Sequence, residues 1–238
     1  MFAHLLMATL LSGSSLSCDT DGSVLKAQYE IEVSYHGESR KTFSMTLWRD
    51  GNNVAHQYPQ TQITEAWTLV RNTLIKPTRF FDAHQRAIEY QPGESVHGKV
   101  ESDWPYRYQL VSNSFFDELT KTSESGKGCE LTQTFTKHTA DGDIRLKWQP
   151  ALQLVRSFTI NQDGVEKHWE MKSISVDAAA ITDFFDQRME YKSTDYADIG
   201  DDHTDPFLTN MVNQGFIEAG ASGFYDQHGK ALEGAHSH

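Results

Sequence analysis

The chain has two cysteines, Cys18 and Cys129, and what they do depends on compartment: in an oxidising space they pair, in a reducing one they stay thiols. Cys18 follows a short apolar run, "LLMATLL" at 5–11, and a small-residue stretch ending Ser15, Leu16, Ser17. That is the layout of a secretory signal over residues 1–17, cut just before Cys18, and it predicts an exported or periplasmic protein. Three readings of Cys18 stay open. It pairs with Cys129 in a disulfide; it is lipidated at a processed N-terminus, anchoring the chain to the outer or inner membrane; or it is an ordinary thiol. Leu16 stands one place nearer the cysteine than in a lipoprotein signal. Cys129 and His138 supply a nucleophile and a base in type, but a disulfide would remove the thiolate that such chemistry needs.

Two further groups carry metal-binding residue types. His236 and His238 sit two apart in the tail "HGKALEGAHSH", with His228 or Asp226 available to complete a set for copper, nickel or zinc. The acidic stretch "DYADIGDDHTD" holds Asp195, Asp198, Asp201, Asp202 and Asp205 with His203. Several carboxylates suit a hard cation, but the spacing lacks the ligand alternation and terminal glutamate of a twelve-residue calcium loop. The usual sequence signatures of a nucleophile elbow, a zinc protease helix, a phosphate loop and a dinucleotide fold are all missing. A non-enzymatic protein with no cofactor is expected.

The third group is aromatic. Trp48, Trp67, Phe80, Phe81, Trp104, Trp148 and Trp169 lie in or beside expected strands. Most such rings serve as core. If the sheet that carries them is hollow, Trp48, Trp67, Phe80, Phe81, Trp148 and Trp169 would line an apolar pocket for an acyl chain or a lipidated partner.

The elements that must position these residues are mainly strands. In "QYEIEVSY", Tyr29, Ile31, Val33 and Tyr35 alternate with polar neighbours; "KTFSMTLWRDG" does the same with Phe43, Met45 and Leu47 before an Asp50-Gly51 turn. Short strands follow to about residue 90, broken by Pro59, Pro77 and Pro92. A turn-rich middle, with a helix or irregular piece at "NSFFDELTK", precedes two consecutive hairpins over about 131–171 with turns at Asp141-Gly142 and Asp163-Gly164. Two helices close the pattern: one capped by Asp177 with Ile181, Phe184 and Phe185 on one side, one capped by Asp205 with Pro206 in its first turn. The division expected is a signal at 1–17, a β domain at 18–176, a helical appendage with the acidic linker at 177–215 and a tail at 216–238. The fold class is mainly β: a strongly curved antiparallel sheet or half-barrel with two C-terminal helices.

The formal charge of −12 over 238 residues opposes phosphate backbones, so no nucleic-acid partner is expected. No run of about 20 apolar residues exists to span a membrane as a helix.

The segments "FSMTLWRDGNNVAHQYP" and "IRLKWQPALQLVRSFTINQDG", each a strand, a turn or Trp-x-Pro corner and a returning strand, resemble the curved sheet of the periplasmic lipoprotein-carrier fold, the LolA/LolB-like group, over about residues 28–176. The resemblance implies a carrier that shelters an acyl chain or lipidated partner inside a half-barrel. The alternative function is a periplasmic metal-handling or redox-complex accessory that uses the histidine tail and acidic linker.

Overall fold

The computed structural model describes residues 20–36, 38–96, 99–140, 142–199 and 205–213. The described chain enters its main sheet in the middle with β1 (Val24–Tyr35) and then steps outward through β2 (Lys41–Asp50), β3 (Asn53–Tyr58), β4 (Ile63–Val70), β5 (Leu74–Phe81) and β6 (Arg86–Glu89). Next comes a crossing segment, containing the small hairpin β7 (Ser95–Val96) and β8 (Lys99–Val100) and two short helices, α1 (Trp104–Gln109) and α2 (Asn113–Asp117). It delivers the chain to the far edge. There β9 (Thr120–Ser125), β10 (Thr132–Thr139), β11 (Gly142–Gln149), β12 (Leu154–Gln162) and β13 (Val165–Ser175) step back inward until β13 pairs with β1. Helix α3 (Ala178–Met189), strand β14 (Lys192–Asp195) and helix α4 (Pro206–Asn213) finish the described chain.

The sheet has 12 strands in the order β14-β6-β5-β4-β3-β2-β1-β13-β12-β11-β10-β9 and is open, with β14 and β9 at its edges. All ladders are antiparallel except the one between β14 and β6. The region expected as a helical appendage therefore also contributes an edge strand. The mainly β architecture with two C-terminal helices expected from the alternation is the one observed. Its curvature follows from reach. Arg49 in β2 donates to the Leu152 carbonyl, in the turn leading to β12, at 2.8 Å, although three strand spacings of about 4.8 Å separate those strands in a flat sheet. Tyr29 in β1 likewise reaches the Val155 carbonyl of β12 at 2.9 Å. Strand irregularities at Gln28/Tyr29, Thr134/Phe135 and Lys147/Trp148 provide the bends.

Strand periodicity gives the sheet two different faces. One carries Leu25, Ala27, Tyr29, Ile31 and Val33 of β1 and receives the crossing segment, through Leu110 and Val111 with Trp104, Tyr108, Phe115, Phe116 and Leu119. We call this segment the strap. The opposite face carries Trp48, Ala55, Ala66, Phe80 and Ala87 and is covered by Ile181 and Phe184 of α3. Asp177 caps that helix, accepting from the Ala180 amide at 3.2 Å. Asp205 caps α4, accepting from the Phe207 amide at 2.9 Å and from Arg86 at 2.7 Å. Helix α3 thus lies on the face away from the strap, whereas α4 packs through Phe207 and Leu208 on Ile63, Phe81 and Ile88, at the β5–β6 end of the strap face.

Candidate functional site

Local sequence makes the strap rigid within itself. Asp103 caps α1 by accepting from the Tyr106 amide at 2.9 Å, and Pro105 sits in its first turn. Leu110 ends it in the left-handed conformation, at φ 68°. For a buried leucine this is strained backbone, at a cost of about 1–2 kcal/mol. Ser112 then caps α2.

Arg49 holds the strap to the sheet. It belongs to the apolar row of β2, with Phe43, Met45 and Leu47, and its guanidinium is fully buried. It donates to the Tyr108 carbonyl through Nε at 2.8 Å and Nη2 at 2.5 Å, to Gly22 at 3.0 Å, to Leu152 at 2.8 Å and to Gln153 at 2.7 Å. Tyr108 also stacks beneath it, with its ring centre 3.9 Å away. One side chain therefore ties together the N-terminal entry, the strap and the turn before β12. A Cβ on Gly22 would lie 3.2 Å from the Leu152 backbone, so glycine permits this approach. Burial lowers the Arg49 pKa to about 10, which leaves it charged at neutral pH. An open polar depression of about 280 Å³, lined by Asp21, Ser23, Tyr108, Pro150, Leu152 and Gln153, lies over this junction.

Beyond Arg49, buried polar groups interrupt the apolar strap face of β3–β5, among Val54, Trp67 and Ile75. His56 contacts the Arg107 carbonyl through Nε2 at 2.8 Å and sits edge-on to Trp67 at 4.7 Å. Burial, reinforced by the charge of Arg107, pushes its pKa down to about 3, so it is neutral. Cross-strand neighbours Glu65 and Arg79 form a buried ion pair at 2.9 Å. From the strap, Arg107 pairs with Glu101 at 2.6 Å and lies over the Trp67 ring at 4.3 Å. On the β10–β13 side the contacts are aromatic. Phe116 packs on Trp148 at 5.0 Å and Phe135 at 5.3 Å, Phe115 on Phe158 at 5.6 Å, and Trp169 on Tyr29 at 6.4 Å.

The six aromatic residues singled out from the sequence are not brought together. Trp67, Trp148 and Trp169 share the core beneath the strap. Phe81 joins a cluster with Ile63, Ile88 and Leu208 near α4. Trp48 and Phe80 lie on the opposite face, where Trp48 stacks on Phe184 at 3.9 Å. All six are buried. The strap occupies the space over Trp67, Trp148 and Trp169.

Sequence reasoning missed Arg49, His56, Glu65 and Arg79. Alternation held the signal: Arg49 shares parity with Leu47, Glu65 with Ile63 and Trp67, and Arg79 with Phe81. Cys129 lies in a short turn whose carbonyl accepts from Gln149 at 2.8 Å, whereas His138 is paired with Asp143 at 2.6 Å near the other end of β10. Along that strand the separation is about 20 Å, so the two do not form a catalytic pair. Cys18, the signal segment, Asp201, Asp202, His203, His228, His236 and His238 lie outside the described residues. Asp195 and Asp205 serve as caps, and among the described residues no three metal-ligating side chains converge.

No family model and no curated protein matches the chain. Solved structures do. A putative outer membrane lipoprotein-sorting protein domain from Vibrio parahaemolyticus is 7% identical, with 71% of this chain and 94% of that one covered and a TM-score of 0.32. The LolA superfamily protein NE2245 from Nitrosomonas europaea is 7% identical, covering 66% and 87%, with a TM-score of 0.26. In the MucA/MucB complex of Pseudomonas aeruginosa the figures are 11%, 65%, 52% and 0.31. The superpositions are loose, and the site is defined by this chain's own geometry.

Proposed function

We propose that this chain is an exported, non-enzymatic binding protein that shelters an acyl chain, free or carried by a lipidated partner, on the strap face of its sheet. The observation that carries the reading is the strap itself. An aromatic floor is closed by a segment of the same chain that lies across it, held by Arg49 and His56 to strap carbonyls and by ring contacts.

Such a cover is displaceable by something equally apolar. The half-buried rings of Trp104, Phe115 and Phe116 contribute about 1 kcal/mol each, and a long acyl chain returns roughly 0.8 kcal/mol per buried CH₂, on the order of 10 kcal/mol in all. Leu110, strained in the closed strap, favours release by a further 1–2 kcal/mol or so. Arg49 sets the opposing term, because opening the strap breaks its two bonds to Tyr108. Within this reading, Cys18 marks the processed N-terminus and is bridged to Cys129 or lipidated.

Titration with 9,10-dibromostearate tests it, since bromine on the acyl chain quenches tryptophans that it touches. Saturable quenching, lost in Trp148→Phe/Trp169→Phe and tightened in Arg49→Leu, is the expected result. No saturable quenching in either the unmodified protein or Arg49→Leu overturns the proposal.

A further inference from the structure

Ladder registers line up two rows of side chains across the strap face, from β2 to β10. The inner row reads Phe43, Ile31, Trp169, Phe158, Leu146, Phe135. The next row, two residues along each strand and so about 7 Å away, reads Lys41, Val33, Lys167, Ile160, Ile144, Lys137. Lysine recurs three times in that row and no carboxylate occurs in it, in a chain whose formal charge is −12.

We infer that this row is a headgroup site, and that the ligand is a single-chain amphiphile with an anionic head, carboxylate or phosphate, its chain on the aromatic row and its head on Lys41, Lys167 and Lys137. The inference rests on the acyl-chain reading above and names the ligand class.

Three observations support it. Lys167 interrupts the otherwise apolar stripe Val165, Trp169, Met171 of β13, and burial lowers its pKa; a nearby anion would favour its charged form. Lys137 is matched at 2.6 Å by Glu118, which lies just after α2 on the strap. Moving the strap off the floor withdraws that carboxylate and leaves an anionic head to replace it. The acids of the same strands, Glu30, Glu32 and Glu166, alternate onto the opposite face, where Lys172 and Arg40 pair with them.

The test compares brominated acyl chains of one length carrying a carboxylate, a glycerol phosphate or an uncharged glycerol head, with the full chain and with Lys41→Gln/Lys167→Met. Charge-assisted contacts predict that both anionic ligands bind at least about tenfold more tightly than the neutral one at low salt. In the double variant that preference falls below about threefold while neutral binding is unchanged. A carboxylate-only or phosphate-only preference identifies the source of the anion. Equal affinity for all three heads, or a preference that survives the double substitution, overturns the inference and leaves the acyl-chain reading standing. Failure of all three ligands to bind, in the full chain and in Arg49→Leu alike, overturns both. Should the double variant fail to fold, salt titration of the full chain decides: the anionic advantage must shrink from 0.02 M to about 0.5 M salt.

Discussion

Among the described residues, the half of the sheet from β2 to β6 is covered twice, by the strap and α4 on one face and α3 on the other, whereas β10 to β12 are covered once, by the strap, and β9 is exposed. In the first half the strap face is closed and holds buried charges within its apolar core. Arg49, His56, Glu65 and Arg79 are all buried there, and Trp48, Phe80 and Phe184 fill the space behind. In the second half Phe135, Phe158 and Ile160 stay half-exposed, and the outer face is made of residues such as Thr134, Arg145, Lys147 and Ser157, with no helix over it among the described residues. Buried charges tolerate little rearrangement, because each lost partner leaves a desolvated group behind; aromatic contacts can be exchanged for other apolar ones. The first half therefore anchors the strap, and the second half is where the strap can give way.

Substitutions can break this contrast. The largest effect is expected for Glu65→Leu, which removes the carboxylate from buried Arg79 and should cost about 3–5 kcal/mol in urea unfolding, most of it restored by adding Arg79→Met. A small loss would mean that the anchoring half is as adaptable as the other. Next, Trp48→Ala, which empties the stack on Phe184, should cost about 3 kcal/mol, against about 1–2 kcal/mol for half-exposed Phe158→Ala. Equal losses would erase the distinction between the two halves.

Acid sharpens the contrast. His56 is held neutral to about pH 3 in the folded chain, while its unfolded value is near 6.5. Below 6.5 the unfolded state binds the extra proton, so stability rises with pH across this window and falls on acidification, by at most about 1.4 kcal/mol per pH unit. Unfolding midpoints measured from pH 7 to pH 4 should drop in the native chain and flatten in His56→Gln; parallel curves would remove His56 as the cause. The smallest effect belongs to the exposed ion pair of Lys121 and Glu124 on β9: Lys121→Ala should change stability by less than about 0.5 kcal/mol.

Much of this was legible in the sequence where one rule decides. The alternation of Tyr29, Ile31 and Val33 names a half-buried strand, and all three are buried; Asp177 and Asp205 announce helix starts because a carboxylate there accepts from free amides. What alternation alone does not give is which parity of one strand faces which parity of another. Register decides that Trp48 and Trp67 turn away from each other, and register is a long-range property. The adjacent residues Phe80 and Phe81 had to face opposite sides, a signal present in the chain. The buried Glu65 and Arg79 escaped notice because charged residues are rarely inside unless paired, and their pairing depends on the β4–β5 register. The strap read as turns because its helices span only six and five residues.

The order of the strands bears on how the chain reaches this state. Strands β1 to β6 and β9 to β13 each pair almost entirely with sequence neighbours, while β1 and β13, joined from Lys26 with Ser175 to Tyr35 with Val165, meet across most of the chain. Local hairpins close quickly, and a contact of such sequence separation must first meet its loop-closure entropy. Two meanders would thus form early and their central seam late, with the strap caught between them as the seam closes. Slow kinetics on refolding should then be carried by mutations along Ile31 and Trp169 rather than by those in either meander.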